Sequence, residues 1–165
     1  MRGAGLTKIY FKDLRQCRVA IEGYMRRYPA VSAYMERMKE QARKKGYVET
    51  LLGRRRYIQG IFSYDRKTRQ HTEKAAINMP IQGTAADIIK LAMVRVYDRI
   101  AFEGLEARLV LQVHDALMVE CPEREVGLVV GIMQKEMPFV VLTLSVPTPV
   151  DIKVGPNWGD MKPWK

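Results

Sequence analysis

Cysteine and histidine are scarce in this chain, two of each among 165 residues. Cys17 and Cys121 form no Cys-x-x-Cys pair, which excludes a zinc-finger framework and a disulfide-stapled fold. So little cysteine fits a reducing, cytoplasmic setting. His71 and His114 lie far apart, and neither belongs to a metal-ligand spacing. No apolar run approaches the roughly 20 residues that span a bilayer. Met1–Gly5 lacks the apolar centre of a secretory signal. There is no glycine-rich phosphate loop of the P-loop type, no Ser/His/Asp triad, no internal repeat and no Pro/Gly/Ser-rich linker. Negative charge is the last shortage: 18 acidic residues face 28 basic ones, for a net charge of +10. That imbalance favours polyanionic partners, nucleic acid before anionic membrane. The chain shows no exposed amphipathic anchor that would favour the membrane.

Hydrophobic residues make up 47% of the chain, enough for one globular domain with a core. Leu6 to Leu14 reads as a short helix and Gln16 to Arg27 as a longer one, ending at Tyr28-Pro29. Pro29 suits the first turn of a helix, and Gly46 suits its end, so a helix is expected from Pro29 to about Lys45. Tyr47 to Leu52 and Arg55 to Ile58 read as two strands around a turn at Gly53-Arg54. Gln59 to Thr68 reads as irregular. Ile81, Ala85, Ile88, Ile89, Ala92 and Val96 recur at helical spacing, predicting a long, deeply buried helix over Lys74 to Ile100. Pro80 either starts or kinks it. A helix follows over Val126 to Met137, with Pro122-Glu123-Arg124-Glu125 at its start, where acids complement the dipole. Val140 to Leu144 and Pro149 to Val154 read as strands. Trp158 closes the fold, Trp158 and Trp164 anchor the C-terminal end, and the methionines fill apolar faces. This order is α+β, with helices packed on a small antiparallel sheet.

The stretch Arg108 to Cys121 organises the rest. Two apolar runs, Leu109–Val113 and Leu117–Val119, flank His114-Asp115, which predicts a hairpin with a carboxylate at its tip. Asp115 either satisfies its own turn or is presented for chemistry, and spacing alone leaves both open. The cations cluster at Arg43-Lys44-Lys45, at Arg54-Arg55-Arg56 and at Arg66, Lys67 and Arg69, beside Tyr47 and Tyr57. Gly53 is expected to turn the backbone so that the arginines project together. Guanidinium forks match phosphate oxygens, and phosphate contacts carry most non-specific nucleic-acid affinity. Lys74, Asn78 and Gln82 recur every fourth residue, one face of a helix. Amide donors there could meet minor-groove acceptors that vary little between base pairs. Alternatively, Asn78 before Pro80 is an ordinary helix start.

These motifs together resemble family A DNA polymerases, the bacterial DNA polymerase I type. Gln112-Val113-His114-Asp115, followed by an apolar strand and Glu120, is similar to that family's motif C. Ala75 to Lys90 resembles its palm helix, Gly46 to Tyr57 the segment before that helix, and Val154 to Trp158 its C-terminal strand. The resemblance implies a palm-type antiparallel sheet with the motif C hairpin, packed by helices. Residues 1–73 would be the end of the fingers with the basic hairpin, and residues 74–165 the palm portion, in one compact unit. It implies that Asp115 is a catalytic carboxylate binding Mg²⁺, two ions in the complete site, as two-metal phosphoryl transfer requires. His114 is then a catalytic-site residue near the primer terminus. Arg54, Arg55 and Arg56 lie by the template-primer backbone. Asn78 and Gln82 meet the minor groove, Lys74 replaces a frequent Arg, and Gln112 contacts DNA. Primer-template DNA and, in the complete enzyme, dNTP are the implied partners.

Two departures shape the expectation. The family usually has Glu after the motif C Asp, and here Ala116 stands there. The family's motif A carboxylate and nucleotide-binding helix have no counterpart in the chain. The chain alone is therefore expected not to extend primers, and to need a second polymerase chain or to self-associate through an uncovered sheet edge and apolar helix surface. The contrasting reading is a non-catalytic, basic DNA-binding protein that kept the phosphate track.

Overall fold

A computed structural model of the chain describes residues 13–138, 141 and 144–164. The chain divides into two compact units, with the boundary between Ile81 and Gln82.

The first unit opens with α1, Leu14–Arg27, whose N-cap Asp13 accepts a hydrogen bond from the Gln16 amide at 2.8 Å. Of the expected helix over Leu6 to Leu14, residues 6–12 lie outside the described residues. Helix α2 runs Pro29–Lys45, with Pro29 in its first turn and Gly46 at its end in the left-handed conformation (φ 76°). Both boundaries fall where the proline and the glycine put them. Arg43, Lys44 and Lys45 occupy the last turn of α2, where cations complement the helix dipole.

Strands β1 (Tyr47–Glu49) and β2 (Arg55–Tyr57) pair antiparallel, with Tyr47 opposite Tyr57, Val48 opposite Arg56 and Glu49 opposite Arg55. Both strands are shorter than expected. Thr50 ends the first, because it is buried and its hydroxyl accepts from the Arg54 amide at 3.1 Å, drawing the chain into the turn at Gly53 (φ 83°). The core of this unit joins α2, the hairpin and the start of the next helix: Ala42, Val48, Ile58, Ile61, Ala76 and Met79 are buried together. The Tyr34 hydroxyl donates to the Ile77 carbonyl at 2.9 Å, and Arg43 pairs with Glu73 at 2.7 Å.

Helix α3 spans Arg66–Phe102, 37 residues. It begins eight positions before the expected Lys74. Asp65 explains the early start, since its carboxylate accepts from the Thr68 amide at 2.9 Å and the Thr68 hydroxyl at 2.6 Å. Such a cap satisfies amides that an N-terminal turn leaves orphaned. Pro80 therefore lies inside the helix and does not start it. Burial along α3 falls on Ala76 and Met79 in its earlier part and on Ile89, Ala92, Val96 and Ile100 in its later part, whereas Ile81 between them is 64% exposed and Ala85 is exposed.

In the second unit, Gly104 (φ 64°) follows the end of α3. Strands β3 (Arg108–Val113) and β4 (Ala116–Glu120) form the expected hairpin, with a bulge between Leu109 and Leu111. Helix α4 covers Val126–Glu136, preceded by a single 3₁₀ turn over Glu123–Glu125. Val96, Ile100, Ala107, Val129 and Ile132 form the core here, with Leu109, Val119 and Cys121 packed against it. The expected strand over Val140 to Leu144 falls largely outside the described residues, and Val141 and Leu144 are in no strand. From Pro149 to Val154 only β5, Lys153–Val154, is a strand, pairing with β6, Lys162–Pro163. Prolines at 147 and 149 cannot donate to a ladder, which suits the late start. Trp158 and Trp164 are 58% and 45% exposed, so neither is a buried anchor. The architecture is the expected α+β, with its strands in three separate two-stranded antiparallel sheets among the described residues.

Candidate nucleic-acid interface and carboxylate hairpin

In the first unit the cationic hairpin is built by strand alternation. Successive residues on a strand point to opposite faces, so Tyr47, Glu49, Arg55 and Tyr57 share one face, while Val48 and Arg56 share the other. Val48 is fully buried beneath the hairpin. The Arg55 Nε donates to Glu49 at 2.8 Å, and its guanidinium lies 4.7 Å from the centre of the Tyr47 ring. Lys45 approaches the same ring at 6.0 Å, and Tyr57 meets it edge-on at 5.7 Å. The expectation that the three arginines project together is thus corrected. Arg55 and Arg56 leave opposite faces, and Arg55 is already engaged with Glu49 and Tyr47. All three arginines remain exposed to solvent.

Lys74 and Asn78 are exposed on α3. Asn78 lies well inside the helix, which removes the reading of it as a helix start. Gln82 follows on the same helix, exposed, just beyond the unit boundary.

In the second unit the sequence places its key residues on a two-residue turn. His114 and Asp115 connect β3 to β4, and both are exposed. His114 has φ 54° and is the one non-glycine residue with positive φ among the described residues. That conformation strains a residue with a Cβ, and such strain clusters at functional sites. The Gln112 side-chain amide donates to the His114 carbonyl at 2.8 Å, bracing the turn. The Gln112 amide nitrogen is thus engaged within the hairpin.

A Mg²⁺ ion takes oxygen ligands in octahedral geometry. Asp115 offers one carboxylate, and its neighbour Ala116 offers a methyl group where a second could stand. Among the described residues, no group of three His, Cys, Asp or Glu side chains could hold a metal ion. The residues present do not by themselves fit a two-metal centre, and no chemical step is derived through one.

One charged residue escaped sequence reasoning. Glu125 is only 7% exposed, and its carboxylate accepts from the Glu106 amide at 3.2 Å and the Ala107 amide at 3.1 Å. The sequence marked it only as an acid at a helix start. Its partners lie 18 and 19 positions away, beyond any local signal. Arg124 beside it pairs with Glu106.

Comparison with known proteins gives a single answer. The family described as DNA polymerase family A matches residues 1–160. The chain is 44% identical over 142 residues to DNA polymerase I of Caldicellulosiruptor bescii, covering 86% of this chain and 17% of that protein. It is 43% identical over 162 residues to DNA polymerase I of Pseudomonas aeruginosa, covering 97% of this chain and 17% of that protein. Against the thermostable DNA polymerase I of Thermus aquaticus the identity is 44% over 138 residues, with 84% and 16% covered. Among solved structures, the POL domain of Pol1 from M. smegmatis, in complex with DNA primer-template and dNTP, superposes with a TM-score of 0.83 at 40% identity, covering 89% of this chain and 26% of that one. The chain thus spans about a sixth of the length of these curated relatives.

Proposed function

The chain belongs to DNA polymerase family A, and from that membership we propose that it is the C-terminal fingers-and-palm portion of a DNA-directed DNA polymerase. In this reading residues 1–73 form the end of the fingers with the basic hairpin, and residues 74–165 the palm portion. Its reaction is template-directed nucleotidyl transfer, with primer-template DNA and dNTP as partners. The observation that carries the reading is Asp115, solvent-exposed at the tip of a braced turn within Gln112-Val113-His114-Asp115.

The roles divide by chemistry. Arg54 and Arg56 hold backbone phosphates through charge-assisted hydrogen bonds. Lys74 adds a cation, and the amides of Asn78 and Gln82 meet minor-groove acceptors that differ little among base pairs. His114 lies near the primer terminus. Asp115 contributes one carboxylate toward the two Mg²⁺ ions of a complete polymerase site, whose other ligands come from polymerase sequence outside these 165 residues. Val110, Leu111 and Val113 on β3 are 48%, 41% and 38% exposed, which supports a second polymerase chain, or self-association, covering that strand. The scarcity of cysteine supports a cytoplasmic setting; separately, no helix among the described residues is long and apolar enough to cross a membrane.

Two assays test this. The chain with labelled primer-template should bind in a strongly salt-dependent way, since phosphate contacts release counterions, yet should not extend the primer with dNTP and Mg²⁺. Adding a chain with the upstream polymerase motifs should restore extension, and Asp115→Ala should abolish it without loss of binding. Robust extension by the chain alone defeats the need for a partner chain. Ala116 favours a second reading, a DNA-binding protein without chemistry. That reading gains if no complementing chain restores extension while binding persists.

A further inference from the structure

The hairpin that carries His114-Asp115 is tied at its root by one buried side chain. Glu106 and Ala107 immediately precede β3, and their amides donate to the two carboxylate oxygens of Glu125 at 3.2 and 3.1 Å. Glu125 itself follows β4 by way of Cys121 and Pro122 and immediately precedes α4. A single carboxylate therefore joins the entry of one strand to the exit of the other. The setting is dry: Glu125 is 7% exposed and Ala107 is 6% exposed, beside a core of Val96, Ile100, Val129 and Ile132. A buried carboxylate without partners is costly, and the two amides supply them. Arg124 lies 3.8 Å from the same carboxylate and pairs with Glu106, so one guanidinium serves both acids. The first β3 residues inside this root, Leu109 with its partner Val119, pack on that core. At the bulge between Leu109 and Leu111 and beyond it, β3 carries the exposed side chains of Val110, Leu111 and Val113.

We propose that Glu125 is a positioning residue for the Asp115 hairpin, its carboxylate fixing the root from which both strands project. Its relevance to catalysis rests on the polymerase reading above; the clip itself does not. Removing the carboxylate releases the Glu106 and Ala107 amides and lets the hairpin swing about its root. The α3–α4 core then stays formed, because the substitution leaves the side chains of Val96, Ile100, Val129 and Ile132 in place.

Amide hydrogen exchange on the 165-residue chain tests the clip without reference to activity. In the wild-type chain, the Glu106 and Ala107 amides exchange slowly although they belong to no strand. Open-chain exchange there overturns the proposal with no variant required. In Glu125→Gln, which keeps one acceptor oxygen and turns an NH2 donor toward the other amide, β3 and β4 amides lose protection by about tenfold or more, as expected when a buried donor loses its acceptor, while those of Val96, Ile100 and Val129 keep theirs. Glu125→Asp, one methylene shorter, restores part of the loss. Equal loss across both groups of amides means general destabilisation and overturns the proposal, as does no loss at all. In a complemented polymerase, Glu125→Gln lowers kcat and leaves the primer-template Kd unchanged; a fall in binding alone also counts against positioning. If no complementation is obtained with the wild-type chain, the polymerase reading fails while the exchange result still decides the clip.

Discussion

The side-chain amide of Gln112 donates to the backbone carbonyl of His114 at 2.8 Å, across a turn in which His114 holds a φ of 54°. The bond stabilises a backbone conformation that a histidine seldom adopts, and it sets the carbonyl one residue before Asp115. Gln112→Ala should therefore destabilise the hairpin by up to about 1 kcal/mol, the net worth of a hydrogen bond, with the exposed setting keeping it at the lower end. His114→Gly removes the steric cost of positive φ. The two changes should be non-additive in a double-mutant cycle, read by urea denaturation of the four chains. Strict additivity would mean that the bond does not brace the turn.

The arginines at the basic hairpin should not contribute equally to DNA binding. Arg55 is paired with Glu49 at 2.8 Å and sits against Tyr47, so part of its charge is already answered within the hairpin. Arg56→Ala is expected to lower the slope of log affinity against log salt by about 1, as for one lost phosphate contact. Arg55→Ala should lower it less. Glu49→Gln should raise affinity by releasing Arg55 toward phosphate. Filter binding or anisotropy from low to moderate salt measures all three, and a larger slope change for Arg55 than for Arg56 contradicts the assignment.

Acid should fray the start of α3. The hydroxyl of Thr68 at 2.6 Å, then the amides of Thr68 and Lys67, hold the Asp65 carboxyl below the usual carboxylate range. A carboxyl depressed in the folded chain stabilises it above the ordinary value near 4, to order of magnitude. That contribution is lost as pH falls through the depressed value. The Thr68 and Lys67 amide resonances should shift together over that interval. Thr68→Val should bring the titration of Asp65 back up; an unchanged titration would show that the hydroxyl bond is not its main cause.

Cys121 reports on Glu125. Burial pushes the Cys121 thiol above its ordinary value, and the negative charge of Glu125 pushes it the same way. Since the thiolate is the reactive form, Cys121 should alkylate slowly at neutral pH and faster as pH rises past the usual thiol range. Glu125→Gln removes the charge and should speed alkylation at fixed pH. Cys17, fully buried in its own unit, should not respond. Mass spectrometry of iodoacetamide-treated chains reads both cysteines, and a slower Cys121 in Glu125→Gln would count against the electrostatic link.

Much of this molecule is written in consecutive residues. Pro29 and Gly46 bound α2 to the residue because each acts on its own backbone. The two apolar runs flanking His114-Asp115 specified a hairpin with that pair at its tip, and long strings such as Gln112 to Asp115 and Ala75 to Lys90 carried the family. What the tertiary structure decided are pairings between distant positions. The start of α3 at Arg66 is the exception, a local cap of Asp65 on Thr68 three positions on, which left Asn78 in mid-helix. Strand pairing sent Arg55 to Glu49 and away from Arg56. Chain reversal brought Glu125 to amides 18 and 19 positions earlier, where burial makes those bonds matter. Local backbone preference acts over a few neighbouring residues and can be read in order. A partner across the fold is chosen only once the core has closed and water has left.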